Sequence, residues 1–257
     1  MQYDPIKDIF NKAIGFFPPF RKLFYGALDL FILRQRYVKR EIRKYLSDGD
    51  LFYDAGAGFC QYSDFVLKNY PKTKVFAVDL KDDYLRKYSH SADDRFYFQH
   101  ADLQEFIPQK KYNMAIAIDI LEHIIDDRAA LENIHEALAA NGILIISSPS
   151  DLDEAARFTA EHVRPGYDKN ELQEKLNEAG FEVIDIYYSY GKFGALSWKM
   201  LIKHPLLMLK KNKLFALLLP FYYLIAYPIA EIMMQYDLRH HNKSGNGLIA
   251  IARKESI

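Results

Sequence analysis

From Leu51 onward, short runs rich in β-branched and aromatic residues alternate with stretches whose apolar positions recur at helical spacing. The runs LFYDA (51–55), KVFAVD (74–79), RFYFQHA (95–101), NMAIAID (113–119), GILIISS (142–148), FEVIDIYYSY (181–190) and GLIAIAR (247–253) predict seven strands. Helices are expected to begin near Gln61, Asp82, Asp126 and Asp168; the last carries Leu172, Leu176 and Ala179 on one face before Gly180 stops it. Alternation of this kind predicts an α/β fold, a doubly wound, seven-stranded, mainly parallel sheet covered by helices on both faces.

Two segments fall outside that rhythm. Residues 1–46 read as basic, aromatic helices broken at Pro18 and Pro19, and residues 191–245 separate the last two strands by more than an ordinary connection needs. The expected organisation is an N-terminal helical cap (1–46), a core (47–190), a helical insertion (191–245) and a final core strand with its tail (246–257). The insertion's first half carries Lys192, Lys199, Lys203, Lys210, Lys211 and Lys213 without an acid, and residues 214–230 carry no charge at all. That uncharged run is at the lower edge of a membrane span. A simple crossing is excluded because strand 247–253 must rejoin the sheet beside strand 181–190. The remaining readings are a lid buried by protein or a helix pair lying in a membrane interface, with Pro220 and Pro228 making the bends.

Charge sharpens the division. The formal net charge of the 257-residue chain is +0, yet residues 1–46 hold 10 Lys+Arg against 4 Asp+Glu, residues 47–190 hold 14 against 27, and residues 191–257 hold 10 against 3. Positive flanks around an acidic middle point the flanks toward an anionic surface such as a membrane and argue against a nucleic-acid partner for the core. A lone cysteine, Cys60, excludes an internal disulfide framework and a CxxC metal knuckle. The start MQYDPIKDIF lacks the features of a secretory signal, so the expected location is cytoplasmic and peripheral on the inner face of the membrane.

Candidate chemistry begins at LFYDAGAGFCQYSDFVL, residues 51–67, where a strand runs through a glycine turn into a helix. Such a turn lets the backbone approach a ligand, and the free N–H groups of the helix start receive negative charge. A dinucleotide fingerprint needs a third glycine, but Gly56 and Gly58 are followed by Gln61. Asp54, two residues before the first glycine, would repel a pyrophosphate and suits a ligand with an ammonium group and hydroxyls.

These residues resemble the class I S-adenosylmethionine-dependent methyltransferases, with a Rossmann-like fold, over roughly residues 47–190 and the final strand. Their acidic-x-Gly-x-Gly motif matches Asp54, Gly56 and Gly58, with Cys60 where the family often has a third glycine. The resemblance implies S-adenosyl-L-methionine as cofactor. It places Asp79, followed by Leu80, on the ribose hydroxyls and Asp102, followed by Leu103, on the adenine amine. It also places Asp119 in AIDILEHIIDD at the turn after the fourth strand, a sequence similar to that of quinone-biosynthesis O-methyltransferases. Each residue also has a plain structural reading: a tight turn for the glycines, helix or turn caps for Asp79 and Asp102.

For methyl transfer to a hydroxyl, a base must take the proton. His123, beyond the fourth strand, and His162, in AEHVRPGY with Arg164 and Tyr167, are the candidates, against a structural turn histidine and a surface loop histidine respectively. Asp119, Glu122, His123 and His162 form a weaker candidate set for Mg²⁺ or Zn²⁺, and no metal is favoured. The turn lacks the Asn/Asp-Pro-Pro-aromatic motif of DNA amine methylation. The expected activity is O-methylation of a hydrophobic or lipid-like small molecule such as a quinone precursor, aromatic polyketide or polyene. The alternatives are C-methylation of a similar molecule, a non-catalytic cofactor- or lipid-binding module, and a nicotinamide-dependent oxidoreductase.

Overall fold

The computed structural model of the protein describes residues 18–81, 83–89, 94–152 and 163–256. Its core strands are β1 (Leu51–Ala55), β2 (Lys74–Asp79), β3 (Phe96–His100), β4 (Tyr112–Ile118), β5 (Leu138–Pro149), β6 (Phe181–Ser189) and β7 (Gly247–Lys254). They form one sheet in the order β3-β2-β1-β4-β5-β7-β6. Neighbours from β3 to β5 are parallel, and β7 runs antiparallel to both β5 and β6. All seven expected strands are present. The largest difference is β5, which begins four residues early because a register shift between Tyr112 and Met114, beside Asn141 at φ 60, keeps Leu138 paired with Tyr112.

Strand side chains alternate between two cores, as burial on both faces demands. Met114, Ile116, Ile145, Ile249 and Ile251 fill one, and Ala115, Ala117, Leu144, Ile146, Leu248 and Ala250 fill the other. Four described helices follow their expected starts: α3 (Gln61–Asn69), α4 (Asp83–Ser89), α5 (Asp127–Ala137) and α6 (Lys169–Glu178), preceded in chain order by α1 (Pro18–Phe31) and α2 (Leu33–Tyr45). Asp126 and Asp168 cap α5 and α6, accepting from Ala129 N and from Asn170 N and Glu171 N. Asp82, the expected start of α4, lies outside the described residues.

Of the expected cap, residues 1–17 lie outside the described residues, and α1 starts at Pro18, one of the two prolines where a break is expected. The second half, α2, is built into the first core through Leu33, Tyr37, Val38 and Ile42, each 2% exposed or less. Several of its cations have partners within the protein. Arg34 pairs with Asp119, Arg36 with Glu231, and Lys39 with Asp29. Arg40 reaches Glu41, Tyr187 and the Leu238 carbonyl, and Arg43 lies 4.9 Å over the Phe65 ring. Packing α2 on the core brings Arg34, Arg36 and Lys39 to acidic partners.

The insertion comprises α7 (Lys192–Trp198), a π-helical turn (Lys199–Lys203), α8 (His204–Lys211), a 3₁₀ turn (Lys213–Leu217) and α9 (Leu219–Arg239). Pro220 stands in the first turn of α9, where a missing N–H costs nothing, but Pro228 lies inside a continuous helix instead of dividing a pair. Leu201, Ala230 and Met234 join the insertion to the first core. The opposite stripe of α9 is apolar and outward-facing: Phe221, Leu224, Ile225 and Ile232 are 69–74% exposed. Among the described residues no helix is long and apolar enough to cross a membrane.

Candidate active site

The sheet order reverses between β1 and β4, where the carboxyl ends of neighbouring strands diverge and leave a crevice. The glycine turn sits there. Gly56 N and Ala57 N donate to the Val78 carbonyl at 2.8 and 3.0 Å, tying the turn to β2. Gly56 has φ 84, and a Cβ on it would lie 2.6 Å from Ile120 Cγ1; at Gly58, φ 48, a Cβ would meet nothing within 4 Å. One glycine therefore permits close packing on the β4 turn, and the other leaves open space on the crevice side. Cys60, at the family's third glycine position, adopts φ 55 as the N-cap of α3, a left-handed conformation that glycine adopts more readily.

Asp79 ends β2 half-exposed, with Oδ2 accepting from Gly58 N and Oδ1 from Lys81 N, both at 2.8 Å. Each oxygen retains a lone pair for a further donor. Asp102 is likewise half-exposed and is held by the backbone and side-chain amides of Gln104. Leu80 is exposed and Leu103 buried.

Asp54 differs from its expected role. Its carboxyl is 2% exposed and accepts a 2.6 Å hydrogen bond from Ser63 Oγ on α3. Burial pushes it up to about 7 against the lowering effect of Ser63, with the nearby Asp79 charge adding to the rise. It braces β1 against α3 beneath the turn instead of presenting a charge to a ligand's ammonium group.

Across the crevice, Asp119 follows β4 with φ 49. It is ion-paired to Arg34, and its Oδ1 receives Ser147 Oγ at 3.4 Å. Arg34 N donates to the Tyr190 hydroxyl at 3.1 Å, and the Arg34 guanidinium has Asp119, Tyr62, Tyr190 and Glu122 as charged or polar neighbours. Sequence reasoning missed Arg34, Tyr62 and Tyr190. A cation in a basic helix reads as solvated, and nothing local links residue 34 to residue 119. Glu122, in the 3₁₀ turn Leu121–His123, is 1% exposed, and burial followed by the neighbouring Asp119 raises its pKa above the ordinary carboxylate range.

Arg164 and Tyr167, expected at the reacting centre, are engaged elsewhere. Arg164 donates to the carbonyls of Leu121, Ile124 and Ile125 at 2.8–3.0 Å, and Tyr167, fully buried, donates to Asp127 Oδ2 at 2.7 Å. They hold the turn after β4 in shape by satisfying its carbonyls, which corrects their assignment from reacting to positioning residues. His162 lies outside the described residues. Asp119, Glu122 and His123 share a turn without converging, since Glu122 points into the protein; among the described residues no three His, Cys, Asp or Glu side chains are grouped as metal ligands.

Residues 53–144, the stretch that builds this crevice, match the model of a methyltransferase domain. Those residues are a methyltransferase domain. Solved structures similar to this methyltransferase share its fold at low identity. One is the [4+2]-cyclase SpnF, 17% identical over 86% of this chain and 81% of that one, with a TM-score of 0.59. Another is the N-methyltransferase NodS from Bradyrhizobium japonicum in complex with S-adenosyl-L-homocysteine, 15% identical over 90% and 91%, with a TM-score of 0.55. A third is coclaurine N-methyltransferase bound to N-methylheliamine and S-adenosylhomocysteine, 16% identical over 85% and 72%, with a TM-score of 0.57. No curated protein matches the sequence. The quinone-biosynthesis branch is not singled out, since the neighbours named include N-methyltransferases and a cyclase. The methyltransferase's own residues fit the cofactor: open space above Gly58, and the half-exposed Asp79 with lone pairs free for vicinal hydroxyls.

Proposed function

We propose that this methyltransferase acts on a hydroxyl of a hydrophobic, membrane-resident acceptor while seated on an anionic bilayer through its insertion. The observation that carries the reading is the outward stripe of α9. Phe221, Leu224, Ile225, Ile229 and Ile232 recur at helical spacing and are 44–74% exposed, continuing through Leu214, Leu217 and Leu218. Scattered apolar residues on a surface are ordinary; a contiguous stripe of this kind marks an interaction site. Lys203, Lys210, Lys211 and Lys213 are exposed beside it, so coulombic attraction and shallow insertion act together.

When bound, S-adenosylmethionine supplies an electrophilic methyl group on its sulfonium sulfur. The protein's part is to hold an acceptor oxygen in line with that methyl and to receive its proton. Asp79 and the glycine turn orient the cofactor, the β4 turn held by Arg164 faces it, and His162 or His123 takes the proton.

Liposome flotation tests the reading. The protein is expected to float with vesicles containing phosphatidylglycerol at low salt, to be released as salt rises, and to lose binding when Lys210, Lys211 and Lys213 are changed to Glu. Each lysine contributes on the order of 1 kcal/mol near such a surface. A protein that stays at the bottom of the gradient at low salt refutes the membrane seat.

A further inference from the structure

Beside the edge strand β6, a cavity of about 260 Å³ opens between the second half of α2, the middle of β6 and the segment that leads from α9 to β7. Lys44, which lines it, stands about 15 Å along α2 from Arg34, the residue that reaches the turn after β4. The cavity is therefore separate from the crevice. Its volume falls below the range that holds a whole drug-sized molecule and suits a head group.

Its walls carry both signs of charge. The Arg40 guanidinium is fully engaged: Nε with Glu41, Nη1 with the Leu238 carbonyl and Nη2 with the Tyr187 hydroxyl, at 2.6–2.9 Å. Lys44 has the exposed Asp185 as a charged neighbour. Matching Arg40 with Glu41 and Lys44 with Asp185 leaves one cation over, Arg239. Arg239 and His241 line the cavity, are exposed, and make no hydrogen bond or ion pair among the described residues.

That balance selects the ligand. One surplus guanidinium flanked by imidazole suits an anion of a single charge, and the Asp185 carboxylate beside it can only accept, so it calls for a hydroxyl on the same molecule. A phosphodiester bearing a hydroxylated alcohol meets both demands. A phosphate monoester, with a charge near −2, would meet Glu41 and Asp185 with too few cations to offset the repulsion.

Position says where such a group comes from. Ile225, Ile232 and Arg239 are spaced by seven residues and so lie along one line of α9, and the exposed Tyr236, with His240 stacked on it at 3.8 Å, fills the last turn. The outward apolar stripe thus runs up to the cavity. A molecule with its head in the cavity and its tails along the stripe has the build of a glycerophospholipid.

We propose that this cavity is a binding site for a glycerophosphodiester, the chemistry of a phosphatidylglycerol head group. Arg239 and His241 hold the phosphate, and Asp185 accepts from the terminal hydroxyls. The lipid source rests on the bilayer reading above; the preference for a hydroxylated phosphodiester rests on the cavity alone.

The test is calorimetry on the full chain with three soluble probes, the lipids kept below their micelle concentrations: dihexanoyl phosphatidylglycerol, dihexanoyl phosphatidylcholine, and glycerophosphoglycerol, which is the head without tails. Phosphatidylglycerol is expected to bind at least about tenfold more tightly than phosphatidylcholine, the size of one or two discriminating hydrogen bonds. Arg239→Ala, at an exposed position, should weaken its binding about fivefold, the share of one basic residue, and Asp185→Ala should shrink the preference over phosphatidylcholine. Unchanged melting temperatures would show that both variants fold. Equal binding of the two lipids overturns the proposal, as does a phosphatidylglycerol affinity and preference unmoved by both variants. Glycerophosphoglycerol binding as tightly as the lipid, with the same dependence on Arg239, supports the site with a soluble ester as its source. A protein that floats with phosphatidylglycerol vesicles but binds none of the probes loses the head-group site and keeps the bilayer seat; one that binds glycerophosphoglycerol but never floats keeps the site and loses the seat.

Discussion

Arg36 on α2 and Glu231 on α9 meet as a forked ion pair, with Nη1 2.7 Å from Oε1 and Nη2 2.6 Å from Oε2. Gln235 Nε2 donates to the same carboxylate at 2.9 Å. The pair joins a helix of the core to the insertion across 195 residues of sequence. The Arg36 hydrogen bonds are the main cause of the Glu231 carboxyl falling from an ordinary value of 4.5 to about 2. Its contribution is therefore complete above about pH 5 and is lost as pH falls toward 2. Glu231→Gln is expected to lower stability at pH 7 by about 1–2 kcal/mol, discounted for partial exposure. The loss should shrink below pH 5 and vanish only as pH passes below 2, and urea unfolding at pH 7 and pH 2 checks it.

Asp79→Ala should weaken adenosylhomocysteine binding by at least about 100-fold, because two charge-assisted hydrogen bonds are lost together with the carboxylate that holds Gly58 N. Calorimetry with unchanged affinity would remove Asp79 from the pocket.

Asp54 runs the opposite way with pH. Its folded pKa, about 7, lies above the ordinary 3.8, so ionising it costs stability that begins to be lost above pH 4 and is fully lost once pH passes 7. Asp54→Asn keeps an acceptor for Ser63 and should stabilise the protein relative to wild type by on the order of 1–3 kcal/mol at pH 8, with little effect at pH 4. Melting temperatures that differ equally at both pH values would contradict the buried, charge-disfavouring site.

Tyr167→Phe removes a buried hydrogen bond to Asp127, which keeps Arg164 and Lys175 as partners. A loss of about 1–2 kcal/mol is expected, with methyl incorporation into lipid extract from labelled S-adenosylmethionine falling less than about threefold. A collapse of turnover in a stably folded variant would restore Tyr167 to the reacting centre.

The strands were legible because each burial pattern is local: alternation, flanking turns and capping aspartates all lie within a few residues of the element they define. Asp79 and Gly58 were legible for the same reason, as the glycine turn and the strand end carry their own signatures. Arg34–Asp119, Arg164 on the β4 carbonyls and Tyr37 on Asp237 were not, because each depends on packing between segments far apart in sequence. Pro228 misled for a physical reason: a proline signals a break, yet α9 continues through it.

The insertion leaves and re-enters the sheet at one rung, Ser189 paired with Gly247, with Asn246 N bonded to the Tyr190 carbonyl at 3.1 Å. To the sheet, everything between is a single enlarged hairpin loop. Closing such a loop costs free energy that grows only with the logarithm of its length. The stretch can thus be lengthened, trimmed or exchanged at little expense to the strands it hangs from. Evolution can rework the insertion while the glycine turn and the end of β2, on the other half of the sheet, stay as they are.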